Sequence, residues 1–323
     1  MNKDQTSRYF NKESTLANVA LLYYGEGLTQ NDIAKRMNVS RATVVNMLRE
    51  ARENRVVDIL VDGKYLAGSS LSQDLGEKYG LTDVYISTSG VDGSKVTRNE
   101  MLRQLGRVGA IALAEIIAPG ETLGVAWGET VFTVSEQMPK VHKRDVIVRQ
   151  MIGSMRSDTV PASERCAIQI ANMLSAQCST LHAPAVGSND EIAELLRNEP
   201  TIKQQLEKLN NLDMYVASIG HVQDQTHMIR AHMTTPEELE AARDAGAVGV
   251  ICCRYINAEG EPVRVAPDKR LIAIDFDALH RVPKKLLIAG SIRRKNAVLA
   301  AIRGGYVTHL CVDQALAQAL IKA

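Results

Sequence analysis

What the chain lacks narrows its class before any motif is read. Cysteine is scarce, with Cys166, Cys178, Cys252, Cys253 and Cys311 odd in number and forming no C-x-x-C pair. That argues against a disulfide framework and a structural zinc site, and it suits a reducing compartment. Long apolar runs are missing, and none reaches the length needed to cross a bilayer. The opening Met1 to Ser14 is polar, without the apolar centre of a signal peptide. A soluble, cytoplasmic protein with no membrane partner is expected. Tryptophan occurs once, at Trp127, and net charge is nearly absent, +1 over 323 residues at pH 7.

A 45% hydrophobic share is ordinary for a globular chain and leaves no room for disorder on a large scale. The length calls for two or three domains. The near-neutral balance hides a local bias, because Lys35, Arg36, Arg41, Arg49, Arg52 and Arg55 face only Asp32, Glu50 and Glu53. Positive charge is concentrated where the phosphates of a nucleic acid would lie.

That basic stretch holds two helix starts. Thr29 precedes Asp32 and Ser40 precedes Thr43, each a hydroxyl able to accept from first-turn amides. Ile33, Ala34 and Met37 fall on one face of the first helix, and Val44, Val45 and Leu48 on one face of the second. Only Asn38 and Val39 remain between them as a turn. The spacing predicts a helix-turn-helix, whose second helix offers its N-terminal side chains to base edges in the major groove of operator DNA. An ordinary amphipathic hairpin with solvated basic residues is the bland alternative. The DNA-contacting set is Thr29, Gln30, Ser40, Arg41, Ala42, Thr43, Asn46, Arg49 and Arg52. Arg41 and Asn46 are the best readers, since Arg bonds guanine and Asn bonds adenine through paired contacts. Arg49, Arg52 and Arg55 are placed for phosphates.

Ser14 to Gly25 reads as a first helix, burying Leu16, Val19, Ala20 and Tyr23, and Val56 to Val61 reads as a wing strand. Asp62-Gly63 and the small residues Ala67 to Ser70 mark the junction. The division is a three-helix winged DNA-binding domain over 1–62 and an effector and oligomerisation domain over 63–323.

Beyond the junction, strand and helix alternate. Strands are expected at Asp83 to Ser87, Glu121 to Ala126, Asp145 to Met151, Ser179 to His182, Leu212 to Ile219, Leu271 to Ile274, Lys285 to Ala289 and His309 to Val312. Helices are expected at Leu71 to Tyr79, Lys95 to Ile117, Glu129 to Met138, Pro161 to Ala176, Pro236 to Ala245, Ile292 to Arg303 and Gln314 to Ile321. This pattern predicts a doubly wound α/β domain, a mostly parallel sheet covered on both faces. Ligands bind such sheets beyond the carboxyl ends of the strands.

Three loops meet that rule. In Leu123 to Thr130 a strand ends in glycines as a helix begins, so Gly124, Gly128, Glu129 and Thr130 surround free amides suited to an anion. Its glycines equally serve a tight turn, and Trp127 either stacks on a ligand or plugs the core. Ser218 to His221 places Gly220 and His221 after an apolar strand, with His221 either donating to a ligand oxygen or capping the loop. His227 and His232 follow, but their spacing fits no standard metal set. Leu286 to Lys295 runs into Gly290 and Ser291, where Ser291 is expected to cap a helix carrying Arg293, Arg294 and Lys295. Cations in a first turn oppose the helix dipole, which points to a bound phosphate offsetting them or to a solvated basic patch. Gly153, Ser154 and Gly249 complete the effector-binding set, which contains no catalytic residue and no metal or cofactor ligand.

Together these pieces resemble the SorC family of bacterial sugar-responsive transcriptional regulators. The resemblance rests on Leu28-Thr-Gln-Asn-Asp-Ile-Ala34, Val39-Ser-Arg-Ala-Thr-Val44, Leu123-Gly-Val-Ala-Trp-Gly-Glu-Thr130, Gly246-Ala-Val-Gly249, Ala300-Ala-Ile-Arg-Gly-Gly-Tyr306 and Val312-Asp-Gln314. It implies an effector domain similar to glucosamine-phosphate deaminase, ribose-phosphate isomerase and coenzyme A transferase folds, emptied of catalysis. It also implies a phosphorylated sugar or polyol as inducer, and a dimer or tetramer on the operator. Two departures stand out. Val250 sits where the family commonly has an acidic residue able to hold sugar hydroxyls, and Gly290-Ser291 replaces a Gly-Gly pair, with Arg294 at the position of the family lysine. A sugar-phosphate isomerase or deaminase carrying a DNA-binding appendage is the competing function, but no complete acid-base constellation accompanies Glu129, Asp275 or Asp313.

Overall fold

The computed structural model describes residues 3–54, 56–57, 68–88, 97–155, 162–223 and 227–323. By its internal contacts the chain divides into two compact units, Met1–Val61 and Asp62–Ala323.

In the first unit, α1 (Lys3–Ala20) runs on through a wider turn at Leu21–Gly25, followed by α2 (Gln30–Met37) and α3 (Arg41–Glu53). Both short helices start as their hydroxyls predict. Thr29 Oγ1 accepts from the Asp32 amide at 3.2 Å and Ser40 Oγ from the Thr43 amide at 3.0 Å. Asn38 ends α2 in a left-handed conformation, φ 52°, which an Asn tolerates better than most residues. Val19, Leu22, Ile33, Ala34, Val44 and Leu48 form the core of the unit, each large side chain contributing about 1.5–3 kcal/mol of burial. Residues 58–61, most of the expected wing, lie outside the described residues. The amides of Val56 and Val57 both donate to the Ala51 carbonyl.

The second unit contains α4 (Ser70–Tyr79), β1 (Asp83–Ser87), α5 (Arg98–Ile116), β2 (Thr122–Val125), α6 (Glu129–Gln137), β3 (Ile147–Gln150), α7 (Ser163–Leu174) and β4 (Gln177–Ser179). Then come α8 (Asp190–Asn198), α9 (Pro200–Lys208), β5 (Met214–His221), α10 (His227–Arg230), α11 (Pro236–Asp244), β6 (Gly249–Ile251), β7 (Arg254–Ile256) and β8 (Pro262–Val263). The chain closes with α12 (Ala266–Arg270), α13 (Phe276–Arg281), β9 (Lys284–Ala289), α14 (Lys295–Arg303), β10 (His309–Asp313) and α15 (Gln314–Ile321). Seven strands pair in the order β1-β10-β9-β5-β2-β3-β4, every pair parallel.

Alternate residues of each strand feed two separate apolar layers. Tyr215, Ala217, Leu287, Ala289, Leu310 and Val312 join one, and Val216, Leu286, Ile288 and Cys311 join the other. Because both faces are covered, the strands read as continuous apolar runs. The far end of β5 outlasts its parallel neighbours and pairs antiparallel with β6, which continues through β7 into β8.

Several expectations needed correction. Leu271 to Ile274 makes only isolated bridges, Leu271 to Val186 and Ala273 to Ile152, because a short buried run in an irregular segment has the same composition as a strand. The strand expected over 179–182 ends at Ser179. The β6 to β8 ribbon and the helices α8, α9 and α13 were not foreseen. The helix starts expected at Lys95 and Pro161 lie outside the described residues.

Helix α5 packs on α6 and the sheet through Gly106 and Gly109. Alanine at Gly106 would gain about 1 kcal/mol of helix propensity. Its Cβ would stand 2.5 Å from Thr133 Cγ2 and 3.0 Å from the Thr133 carbonyl carbon, and crowding of that kind costs about 1–3 kcal/mol. Gly106→Ala should therefore lower the free energy of urea unfolding by up to about 2 kcal/mol; a stabilised variant would show that the two helices part freely.

Candidate functional site

The outer face of α3 carries Arg41, Ala42, Val45, Asn46, Arg49 and Arg52, all exposed. Their spacing places them along one side of the helix, the side a duplex would meet. Val45 is the correction here: it is 39% exposed rather than turned inward, while Met47 is half-buried against the core. An apolar side chain between Arg41, Ala42 and Arg49 suits a thymine methyl group. Thr29 and Ser40 are engaged as helix caps, and Thr43 Oγ1 lies 2.8 Å from Ser40 Oγ. Gln30 accepts from Arg41 Nε at 3.3 Å and so orients the guanidinium.

In the second unit the carboxyl ends of β2, β5, β9 and β10 open on a cavity of about 1230 Å³. Parallel pairing puts these four ends side by side, so loops distant in sequence converge there. The loop after β2 and the start of α6 contribute Trp127, Gly128, Glu129 and Thr130; the end of β5 contributes Ser218, Gly220 and His221, and α10 His227 and Arg230; the segment after β9 contributes Gly290, Ser291, Arg293 and Arg294; and β10 with α15 contributes Asp313, Gln314 and Gln318. Thr97 and Arg98 close the cavity from the start of α5.

The charged groups are arranged in linked pairs. Glu129 accepts two hydrogen bonds from the Arg98 guanidinium, one of them at 2.8 Å, and His227 Nε2 lies 3.3 Å from Glu129 Oε2. The bonds from Arg98 hold the Glu129 carboxyl below its ordinary range. Burial first, and Arg230 next, hold His227 down to about 4, so its ring is neutral at pH 7. Burial, with Arg294 and Arg293 nearby, lowers His221 as well. Asp313 accepts from the amides of Ser291 and Leu316, tying the β9 loop to the start of α15. Arg294 donates through Nη1 to the Gly290 carbonyl at 2.9 Å, while its Nε is buried without a hydrogen-bond partner.

Backbone geometry fits close approach to a ligand. Gly128 precedes α6 at φ 120°, a conformation that L side chains rarely adopt, and no side chain caps the helix there. Gly290 instead makes room for packed neighbours, since a Cβ there would meet Leu105 at 2.8 Å and Met101 at 3.0 Å. Ser291 does not cap the following helix; it sits at φ 76° with no side-chain cap bond, and its amide is spent on Asp313. Trp127 both plugs and lines, since it is 7% exposed, borders the cavity and donates from Nε1 to Cys253 Sγ at 2.9 Å.

Five expected effector contacts do not line the cavity. Gly124 faces Leu212 and Met151, with room for no Cβ. Gly153 packs on the Pro184 carbonyl and Ser154 bridges to Pro184. Gly249 abuts Ala297, and Lys295, the first residue of α14, is not among the lining residues. In their place stand Arg98, His227, Arg230, Cys252, Cys253, Gln314 and Gln318. No local motif announces Arg98, which meets Glu129 across 31 positions of sequence. Among the described residues no three His, Cys, Asp or Glu side chains are placed to hold a metal, and no helix is long and apolar enough to cross a membrane.

A helix-turn-helix unit joined to an α/β domain with a cation-lined cavity defines the class of ligand-sensing transcriptional regulators. The Sugar-bind family model, described as "Putative sugar-binding domain", matches residues 64–322, and a Sigma-70 region 4 model matches residues 8–54. An Escherichia coli protein named Uncharacterized transcriptional regulator YjhU is 35% identical over 99% of this chain and 98% of its own. The Deoxyribonucleoside regulator of Bacillus subtilis is 28% identical over 96% of this chain and 98% of its own. The crystal structure of the full-length sorbitol operon regulator SorC from Klebsiella pneumoniae shares the fold, with a TM-score of 0.75 at 24% identity over 95% of this chain and 98% of that one. The chain belongs to the SorC family of sugar-binding transcriptional regulators. Its relatives are regulators and not enzymes, which sets the isomerase or deaminase alternative aside.

Since the folded protein holds His227 near 4 and an unfolded chain near 6.5, the unfolded state binds the proton more strongly. Stability is therefore full above pH 6.5 and falls as the pH drops toward 4, by up to roughly 3 kcal/mol from this residue. Urea unfolding at pH 7 and pH 5 should show a shallower decline in His227→Gln than in the parent; equal slopes would mean that the imidazole is no more buried than in the unfolded chain.

Proposed function

We propose that this protein controls a carbohydrate or polyol catabolic operon in the cytoplasm, binding its operator as a dimer or tetramer and releasing or gripping it according to a phosphorylated sugar or sugar-derived effector. The observation that carries the effector's charge is Arg294. Its Nε is buried without a partner, and the residue borders the same cavity as the exposed Arg293 and as Gly128, which precedes α6. An unpaired buried donor is costly, so an anion that accepts from it gains a strong, charge-assisted bond.

The carbohydrate reading is supported by the match to the sugar-binding family. Regulation then follows from linkage: the effector must bind one state of the protein better than another, since equal affinity for both shifts nothing. The paired reading helices of an oligomer must meet half-sites about 34 Å apart, so a small change in their spacing weakens the grip.

A thermal-shift screen over sugar phosphates identifies the effector, because a ligand at a hundred times its dissociation constant adds roughly 2.7 kcal/mol of stability. Arg294→Ala should bind operator normally and no longer respond to that ligand; a variant responding at the same concentration would move the anion site elsewhere. Arg41→Ala should lose about 1–3 kcal/mol of operator binding and relax the preference at one base pair. An unchanged isotherm would remove α3 from the major groove.

A further inference from the structure

Val45 breaks the rule that orders the rest of α3. Its neighbour Val44 is fully buried and, with Leu48, belongs to the core of the unit, whereas Val45 stands exposed and joins neither apolar cluster there. Among the described residues of α3 it is the one large apolar side chain left in solvent. Helix stability does not account for it, since valine is a weaker helix former than alanine, lysine or glutamate. Nor does a solvated face gain from an apolar side chain.

Its surroundings are those of a nucleic-acid surface. At 100° per residue Val45 falls within the exposed arc of α3, with Arg41 at one edge and Asn46 at the other. Arg41 and Arg49 lie one turn before and after it, and Ala42 borders it three residues back. Glu50, an acid of the same helix, is paired with Lys12 of α1, so the arginines keep their charge for a polyanion. In the major groove the one apolar substituent that a base pair presents is the C5-methyl of thymine. Valine suits it, because a β-branched side chain in a helix holds essentially one χ1 rotamer and loses little freedom on contact. Against a purine edge the same side chain would only strip polar atoms of water.

We infer that Val45 is a specificity residue of the reading helix and packs on the C5-methyl of a thymine in each operator half-site. Four residues of helix advance about 6 Å and successive bases about 3.4 Å, which puts that thymine within about two base pairs of the one that Arg41 bonds. The assignment rests on the operator binding proposed above and adds which base the apolar position of α3 selects.

Selection of duplexes from a random pool by the full chain supplies the site. Each of its thymines is then replaced in turn by deoxyuridine, which removes the methyl group and nothing else. At one thymine per half-site the parent protein should bind the uracil duplex about fourfold more weakly, the worth of one buried methyl group. Val45→Ala changes an exposed helical position to a better helix former, so the variant folds. It should lose about the same factor on the thymine duplex and no longer distinguish uracil from thymine at that position. Uracil tolerated by the parent at every position, or an equal penalty in Val45→Ala, overturns the inference; operator binding itself stands if Arg41→Ala still loses affinity for the selected site. A pool from which no sequence is enriched defeats both.

Discussion

Four guanidinium groups gathered at one end of a parallel sheet set the terms for the effector domain. Arg98, Arg230, Arg293 and Arg294 border a cavity where, among the described residues, Glu129 and Asp313 are the carboxylates. Like charges at close quarters repel unless an anion sits among them, and low-dielectric walls sharpen the effect. The fold holds them there because the segments after β5 and β9 leave adjacent strands, while the start of α5 supplies Arg98. Glu129 is spent on Arg98, and Arg294 is turned back to its own Gly290 carbonyl with Nε unmatched. Among the described residues both carboxylates of the cavity are engaged, Glu129 by Arg98 and Asp313 by the Ser291 and Leu316 amides.

Three of the seven described non-glycine residues at positive φ border the same cavity. Ser291, Cys252 and Cys253 are non-glycine residues at positive φ, and each such residue costs about 1–3 kcal/mol. The Ser291 amide is fixed by Asp313, which in turn caps α15, so the β9 loop and the last helix are locked together by one carboxylate. The hairpin turn at Cys252 and Cys253 is held by the β6 to β7 pairing and by the bond from Trp127. These are the points at which local preference yields to the shape of the site, as expected where a ligand is bound.

Much of this was legible in the sequence, and the unevenness has physical causes. The two short helices of the reading unit followed from Thr29 and Ser40, because a cap is a local device that acts over three residues. The parallel sheet followed from apolar runs separated by helical spacing, and Gln314 to Ile321 matched to the residue. Val45 was misplaced because a helix turns 100° per residue, so two adjacent apolar residues both face a core in some helices, as Ile33 and Ala34 do, and in others only one does, as Val44 does here. The β6 to β8 ribbon escaped notice because its strands are two or three residues long, too short for a period to show. Arg98, Gln314 and Gln318 reached the cavity through tertiary packing, which leaves no trace in their own neighbourhoods. Gly124, Gly153 and Gly249 drew attention as glycines near strand ends, yet each makes room for a packed neighbour rather than for a ligand.

Family membership joins a reading helix and a sensing cavity in one chain, and a regulator of this kind works only if occupancy of one site changes the free energy of the other. That coupling is reciprocal by thermodynamic necessity. The most direct measurement is calorimetric titration of the intact protein with the sugar phosphate that stabilises it best, once alone and once saturated with operator DNA. The account predicts that the ligand's dissociation constant differs between the two titrations by the same factor, about 5–150-fold, by which the ligand changes operator affinity. Identical constants with and without DNA would contradict it.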